Sequence, residues 1–450
     1  MARAGIILAA GMGTRMKSAL PKVMHEVAGL PMVGHVIQAM RGAGVERIVV
    51  VTHKAGDAVR AFAEKMGAES VIQDPQLGTG HAAACAAPLL KDFAGTVIVC
   101  YGDMPLVTSA TFDASFASQA ETGMAMIGFR PADSGAYGRM ILDRARLLDR
   151  IVEFKDANAE ERAETLCNAG ILAAATKEFF YWAGKLDNNN AQKEYYLTDV
   201  PSLAKADGVR CAVIEADEVE MMGVNSRAEL AKAEAAMQVR LRAAALKNFV
   251  GLVAPDTVHF SHDTVLEPDC AVEPYVVFAP GVTVRSGARI RAFSHLEGVE
   301  VGSGAIIGPY ARLRPGTVVE EDVHIGNFVE LKNTRIEKGA KANHLTYLGD
   351  ARVGAGANIG CGTITCNYDG FFKHKTDIGA GAFIGSDTAL VAPVKIGDGV
   401  MTGAGSVITK DVPANALVVT RAPQVEKPGW AEKYRAVKKA EKAAKAAKKP

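Results

Sequence analysis

Residues 301–319 read Val301-Gly302-Ser303-Gly304-Ala305-Ile306-Ile307-Gly308-Pro309-Tyr310-Ala311-Arg312-Leu313-Arg314-Pro315-Gly316-Thr317-Val318-Val319, with an aliphatic residue at every sixth position: Val301, Ile307, Leu313 and Val319. The count continues through Ile325 and Leu331. One phase earlier it runs Leu266, Val272, Phe278, Val284, Ile290, Leu296. It restarts at Ile336, Ala342, Leu348, then at Val353, Ile359, and again at Ile378, Ile384, Leu390, Ile396. Neither a helix nor an alternating strand has a period of six. A fixed hexapeptide is the mark of a parallel β-helix, in which three short strands close one triangular coil and each presents one residue to the interior. Glycine follows many of these residues, at Gly302, Gly308, Gly360, Gly379, Gly385 and Gly397. The expectation is that they supply the positive φ of tight corners.

Outside this solenoid the chain is of ordinary soluble composition. At 450 residues it exceeds what one core serves, so two or more domains are expected. A net charge of +1 excludes a strongly basic nucleic-acid binder. No window holds 18 consecutive apolar residues, so no membrane span is expected. The short apolar run in the first residues reads as a buried strand entering a glycine loop rather than as a leader. Seven cysteines, scattered and without a Cys-x-x-Cys pair, point to free thiols in a reducing cytoplasm.

Residues 1–224 alternate apolar runs with helix-like stretches, the rhythm of a doubly wound α/β sheet. The runs are Gly5–Ala10, Arg47–Thr52, Thr96–Tyr101, Met124–Phe129, Cys167–Ala173 and Arg210–Ile214, with amphipathic segments at Pro31–Gly42 and Gly80–Leu90 between them. Residues 225–249 are rich in Ala, Leu, Arg, Glu and Lys and predict one long linker helix capped by Asn225 or Ser226. The β-helix then occupies residues 250–425, with Asn367–Thr376 as a loop ejected from a corner. Residues 426–450 form a basic tail, read as a solvated helix.

The first strand runs directly into Leu8-Ala9-Ala10-Gly11-Met12-Gly13-Thr14-Arg15-Met16, with Pro21-Lys22 downstream. Glycines here let the backbone approach phosphates with N–H groups inward, and Arg15 and Lys22 add positive charge. A dinucleotide turn is disfavoured, because Met16 stands where the third glycine belongs and no acid closes the strand ending at His53. The absence of Gly-Lys-Ser/Thr removes a Walker A loop. Asp103 follows an apolar strand at the edge where open α/β sheets place ligands, and Mg²⁺ on phosphates needs such a hard oxygen.

This segment resembles the signature of sugar-1-phosphate nucleotidylyltransferases, and the likeness continues through Gln73, Gln76–Ala82, Tyr101-Gly102-Asp103, Tyr137-Gly138-Arg139, Glu153, Asn168-Ala169-Gly170 and Asn225. The hexads resemble the left-handed β-helix of hexapeptide acyltransferases, and the handedness is implied by that likeness alone. Taken together, residues 5–425 resemble the bifunctional bacterial family of N-acetylglucosamine-1-phosphate uridylyltransferase/glucosamine-1-phosphate N-acetyltransferases. The resemblance implies that Leu8, Ala9, Ala10, Gly11, Lys22, Tyr101 and Gly102 line the UTP and UDP-N-acetylglucosamine site. It implies that Gln73, Gly78 and Thr79 read uracil, and that Gly138, Glu153 and Asn168 hold the sugar. Asp103 and Asn225 would hold Mg²⁺, and Arg15 and Lys22 would stabilise the α-phosphate. One Gln73 amide offers both a donor and an acceptor, suited to an imide edge.

In the solenoid, Arg314, Lys332 and His344 stand beside positions already filled by aliphatics, so the core has no use for them. Two cations and an imidazole suit a sugar phosphate and an amine that must lose its proton. The resemblance implies that His344 is the general base of acetyl transfer from acetyl-CoA to glucosamine 1-phosphate. Tyr347, Asn358, Asn367 and Tyr368 would hold the sugar and acetyl group; Ser386, Ala404 and Arg421 would line the coenzyme A channel. Where relatives often have alanine, this chain has Cys361, read as a small packing residue beside that channel, with an oxidation-sensitive thiol as the other reading. A homotrimer and a role in peptidoglycan and lipopolysaccharide precursor synthesis are also implied; nucleic-acid and membrane partners are not. Two other readings stay open. One is a single-activity nucleotidylyltransferase with a regulatory or oligomerising β-helix; the other is a non-catalytic scaffold.

Overall fold

The protein is described by a computed structural model covering residues 1–446 apart from Ala136 and Ala191. It divides into two compact units, Met1–Val265 with Val277–Gly281, and Leu266–Val276 with the chain from Val282 onward.

The first unit is built on a twisted sheet in the order Arg210–Ala216, Gly123–Phe129, Cys167–Ala175, Gly95–Tyr101, Ala2–Ala9, Arg47–His53, Glu69–Gln73. Only Cys167–Ala175 runs antiparallel to its neighbours on this path. Central strands such as Ala2–Ala9 are apolar on both faces because one face packs on Val36, Ile37 and Phe112 and the other on Leu90, Phe179 and Trp182. Strand order reverses beside Ala2–Ala9, which pairs with Arg47–His53 on one side and Gly95–Tyr101 on the other. The carboxyl ends at such a switch point leave a crevice. Here they carry Ala10-Gly11 and Gly102-Asp103.

All six expected runs are strands. The amphipathic segment at Gly80–Leu90 is two short helices, Thr79–Ala84 and Ala87–Leu90, with Pro88 starting the second. The edge strand Glu69–Gln73 escapes the hydrophobic pattern because it is mostly half-exposed. The long helix spans Arg227–Lys247, and Ser226, not Asn225, caps it by accepting the Glu229 N–H at 3.2 Å. Its Ala233 and Met237 pack on Val27, Met32 and Leu106.

The second unit is a parallel β-helix. One face stacks Val284, Val301, Val319, Ile336, Val353, Ile378 and Ile396 in register. A second stacks Val272, Ile290, Ile307, Ile325, Ala342, Ile359 and Ile384. The third stacks Leu296, Leu313, Leu331 and Leu348, then Leu390 and Ile408. Thr365 fills the gap in that row, and its hydroxyl answers both the N–H and the carbonyl of Gly349. Phe278 is buried at the end of its short strand, as its hexad position predicts, and its ring stacks on Phe260 at 5.3 Å.

The glycines that follow the hexad residues are not there for the reason expected. Of the six, only Gly308 has positive φ. At Gly302, Gly360, Gly379, Gly385 and Gly397 an added Cβ would lie 2.4–2.6 Å from backbone atoms of the next coil. Close stacking of coils excludes a side chain there. The left-handed corners instead hold other glycines, Asp and Asn, and a run of bulky residues: Tyr275, Phe293, Tyr310, Phe328 and Leu345. The C-terminal helix Trp430–Ala446 is exposed along its length. Among the described residues no helix is long and apolar enough to cross a membrane.

Candidate active sites

Two adjoining clefts open at the switch point of the first unit. One, about 360 Å³, is lined by Leu8, Ala9, Ala10, Gly11, Lys22, Gln73, Gln76 and Gly78. The other, about 620 Å³, is lined by Gly138, Glu153, Asn168 and Asn225. Thr79, Tyr101, Asp103 and Glu194 line both, so the two are halves of one groove.

Backbone geometry explains the glycines of the first half. Gly11 has nothing within 4 Å of where a Cβ would stand, so its backbone faces open space. Gly13 is left-handed, φ 60°, and a Cβ there would sit 2.6 Å from Cβ of Lys22. The loop therefore folds tightly enough to deliver Lys22 to the cleft. Gly78, at φ 105°, faces the Glu194–Tyr195 backbone, where a Cβ would meet the Tyr195 carbonyl at 2.6 Å. Two backbone bonds, Tyr195 N–H to the Leu77 carbonyl and Gly80 N–H to the Tyr195 carbonyl, both 2.8 Å, fasten these loops together. Gly102 donates to the Leu8 carbonyl at 2.9 Å, and Asp103 lines the same cleft as Gly11.

In the second half, Asn168 N–H donates to the Gly138 carbonyl at 2.9 Å, and Gly138 lies against the Glu153 carboxylate. A Cβ on Gly170 would strike the Tyr101 ring at 2.2 Å, so glycine there lets the ring lie in the groove. Burial, then the Asp103 carboxylate, pushes the Tyr101 hydroxyl up, which keeps it a neutral donor. Burial, then Asp156 and Asp199, also raises the Glu153 carboxyl.

Lys22, Asp103 and Asn225 converge where the halves meet. Lys22 Nζ lies 2.5 Å from Asp103 Oδ2 and 3.0 Å from Asn225 Oδ1. The Val224 N–H bond to the Asp103 carbonyl, 2.9 Å, brings the last two together. Two hard oxygens already share one cation, so this donor set fits Mg²⁺, which is commonly held by one or two carboxylates with waters completing its shell. Among the described residues no group of three or more His, Cys, Asp or Glu could hold a metal. Arg15 stands exposed on the turn Thr14–Met16 and lines neither half of the groove.

In the second unit, the strands His324–Lys332 and Lys341–Gly349 pair side by side, with Asn327 opposite His344 and Glu330 opposite Tyr347. The Asn327 side-chain carbonyl accepts from His344 Nδ1 at 3.1 Å. That tautomer leaves the Nε2 lone pair outward on an exposed ring. Arg314 pairs with Glu330 at 2.9 Å, and Lys332 lies one coil on from Arg314. Tyr347 Oη and Asn367 Nδ2 converge over Gly349, where a Cβ would meet them at 2.4 and 2.6 Å. Asn367 is buried and donates to Asp350 at 2.5 Å. Tyr368 opens an exposed loop tied by the Asp369 carboxylate, which accepts the Phe371 and Phe372 N–H groups and pairs with His374. Asn358 lies on another face, in register with Lys341 and Phe383.

The remaining residues follow one corner through successive coils. The Cys361 carbonyl accepts from Asp387 N–H at 2.7 Å, the Ser386 carbonyl from Gly405 N–H at 2.8 Å, and the Ala404 carbonyl from Arg421 Nη1 at 2.6 Å. Cys361 is half-buried and lies off the interior row, which Ile359 fills. All seven cysteines are free.

Sequence reasoning did not single out Glu194, Tyr196, Asn327 or Glu330. The first two lie on a loop more than a hundred residues from the glycines it fastens. Asn327 and Glu330 were open to detection, since each stands one coil before His344 and Tyr347.

Residues 5–170 match the family described as MobA-like NTP transferase domain, and residues 298–333 and 375–410 match the bacterial transferase hexapeptide (six repeats). With these repeats the solenoid is a left-handed β-helix. The chain is 54% identical over 444 residues to the bifunctional protein GlmU of Jannaschia sp. (strain CCS1), covering 98% of this chain and 97% of that one. It is 55% identical to the same-named protein of Cereibacter sphaeroides, covering 97% of each. It is 51% identical to that of Paramagnetospirillum magneticum, covering 98% of each. The chain belongs to the bifunctional GlmU family.

Proposed function

We propose that the chain carries out two consecutive transfers on small-molecule substrates: acetylation of glucosamine 1-phosphate by acetyl-CoA, then uridylylation of N-acetylglucosamine 1-phosphate by UTP. The observation that carries the nucleotidyl reading is the convergence of Lys22, Asp103 and Asn225, from three distant segments, where the two halves of the groove meet. In the division inferred here, residues 1–224 perform nucleotidyl transfer, 225–249 link, 250–425 perform acetyl transfer and 426–450 form the basic tail.

Gln73, Gly78 and Thr79 would take the uracil, the Gly11 loop the phosphates, and Gly138, Glu153 and Asn168 the sugar. A sugar-phosphate oxygen bonds to the α-phosphorus of UTP as the bond to the β-phosphate oxygen breaks, releasing pyrophosphate. Lys22 would neutralise charge on the transferring phosphoryl group, and catalysis is positioning and electrostatics without a covalent enzyme intermediate. Asp103 and Asn225 would hold Mg²⁺, whose contribution is charge neutralisation on the phosphate oxygens.

For acetyl transfer, the substrate amine attacks the thioester carbonyl, a C–N bond forms, and coenzyme A leaves as a thiol. His344 Nε2 takes the amine proton, while Arg314 and Lys332 hold the phosphate. A single-activity enzyme would have no use for this group of residues.

Self-association as a homotrimer draws support from an exposed aromatic ladder. Tyr275, Phe293, Tyr310 and Phe328 stack at ring separations of 5.0, 4.9 and 5.3 Å. Each holds a left-handed corner, where a bulky L-residue costs about 1–2 kcal/mol. Leu345, beside His344, continues the row. A row kept at that cost and half-exposed suits burial against further copies. A cytoplasmic enzyme feeding peptidoglycan and lipopolysaccharide precursors is the setting this chemistry implies. The test is a reaction with glucosamine 1-phosphate, acetyl-CoA, UTP and Mg²⁺, omitting one at a time. UDP-N-acetylglucosamine should form only in the complete mixture, and formation without acetyl-CoA overturns the order.

A further inference from the structure

Gln73 ends the edge strand Glu69–Gln73, and its side chain is buried at 4% exposure. Nε2 donates to the Gly78 carbonyl at 3.0 Å and to His81 Nδ1 at 3.1 Å. A backbone carbonyl can only accept, so the amide nitrogen and not its oxygen must face Gly78. For His81 Nδ1 to accept the second hydrogen, the ring is neutral with its proton on Nε2, which points toward Cys85 Sγ at 3.9 Å. Both amide hydrogens are thereby committed. The expectation that Gln73 offers a ligand both a donor and an acceptor does not hold: Oε1 is what it has left.

We propose that His81 is a specificity-determining, positioning residue of the uridylyl transfer: with the Gly78 carbonyl orienting the Gln73 amide, His81 takes its second hydrogen and leaves the base subsite only an acceptor. An acceptor takes the N3–H of uracil and opposes the N3 lone pair of cytosine. The inference rests on Gln73 as the residue that reads the base. Without an acceptor at position 81, one amide hydrogen loses its partner and becomes available to a base that presents an acceptor.

The test is kcat/KM for UTP and for CTP, with N-acetylglucosamine 1-phosphate, in the full-length protein and in Gln73→Leu, His81→Leu and His81→Asn. His81→Asn places a carbonyl oxygen near the position of Nδ1. The preference for UTP should fall at least about tenfold in Gln73→Leu and in His81→Leu, chiefly through KM for UTP, and return to within about threefold of the parent in His81→Asn. Unchanged preference in His81→Leu, with loss in Gln73→Leu, overturns the role of His81 and leaves Gln73 as the reader. Unchanged preference in Gln73→Leu overturns the base-reading assignment and the inference with it. Equal loss in His81→Leu and His81→Asn makes His81 a packing residue and also overturns the proposal. Should His81→Leu lower the melting temperature, His81→Phe replaces it as the apolar variant.

Discussion

Replacing Gly11 with alanine should separate folding from the phosphate binding proposed for this loop. Nothing lies within 4 Å of the added Cβ, and the backbone there is not in the positive-φ region. Folding should therefore be unharmed, and the narrower unfolded ensemble of alanine should stabilise the first unit by about 0.4–1 kcal/mol. The space the methyl enters is the half-groove assigned to the nucleotide. Crowding a fitted site costs about 1–3 kcal/mol, equivalent to a roughly 5- to 150-fold weaker affinity for UTP. Gly78→Ala is the contrast. Its Cβ would meet the Tyr195 carbonyl at 2.6 Å, the Tyr195 nitrogen at 2.9 Å and the Glu194 Cβ at 2.9 Å, at φ 105°. Two of these contacts are backbone, so a loop must move, and the strained φ adds about 1–3 kcal/mol. Calorimetric titration with UTP and thermal unfolding should then show one variant weak in binding but stable, and the other impaired in both. If Gly11→Ala binds UTP as tightly as the parent, the phosphates do not lie against this loop. If Gly78→Ala melts like the parent, the fastening of its loop by Tyr195 is not what holds the site.

Removing Asn327, by Asn327→Ala, should lower kcat for acetyl transfer about 5- to 10-fold, the worth of one hydrogen bond holding the His344 ring, with KM for acetyl-CoA unchanged in steady-state assays. The Glu153 carboxyl is raised by burial first, so its charged form strains the fold at neutral pH and is relieved in acid. Glu153→Gln should accordingly raise the melting temperature at neutral pH, with the gain vanishing as pH falls below the usual glutamate range, while KM for N-acetylglucosamine 1-phosphate rises. Tyr310→Asp, which sets a charge within the aromatic ladder, should shift sedimentation velocity toward smaller species; an unchanged trimer peak would show that the ladder faces solvent in the assembly.

The solenoid was legible because each coil contacts mainly its neighbours, so one period in sequence is one period in space. Its rows are nearly those counted, with Thr365 explaining the break after Ile359. The reason for the glycines was not legible: close approach of Gly302 to Glu320, or of Gly360 to Gly385, depends on how coils stack. In the nucleotidyl unit, Gly11, Asp103 and Gly138 stand at strand ends or turns, where type and position announce a ligand. Glu194 and Tyr196 do not, because the loop that carries them acts through Tyr195 backbone bonds that any residue could make. Arg314 illustrates a third limit. Its charge is plain in sequence, but its pairing with Glu330 follows from strand register.

The most direct measurement is a crossed assay of Asp103→Ala and His344→Ala, each followed for coenzyme A release from glucosamine 1-phosphate and for UDP-sugar formation from supplied N-acetylglucosamine 1-phosphate. Asp103→Ala should lose the second reaction and keep the first. His344→Ala should slow the first by roughly 10²–10⁴-fold, the usual contribution of a general base, and keep the second. Loss of both reactions in either folded variant, or acetyl transfer at the parental rate without His344, would contradict two separate chemistries on one chain.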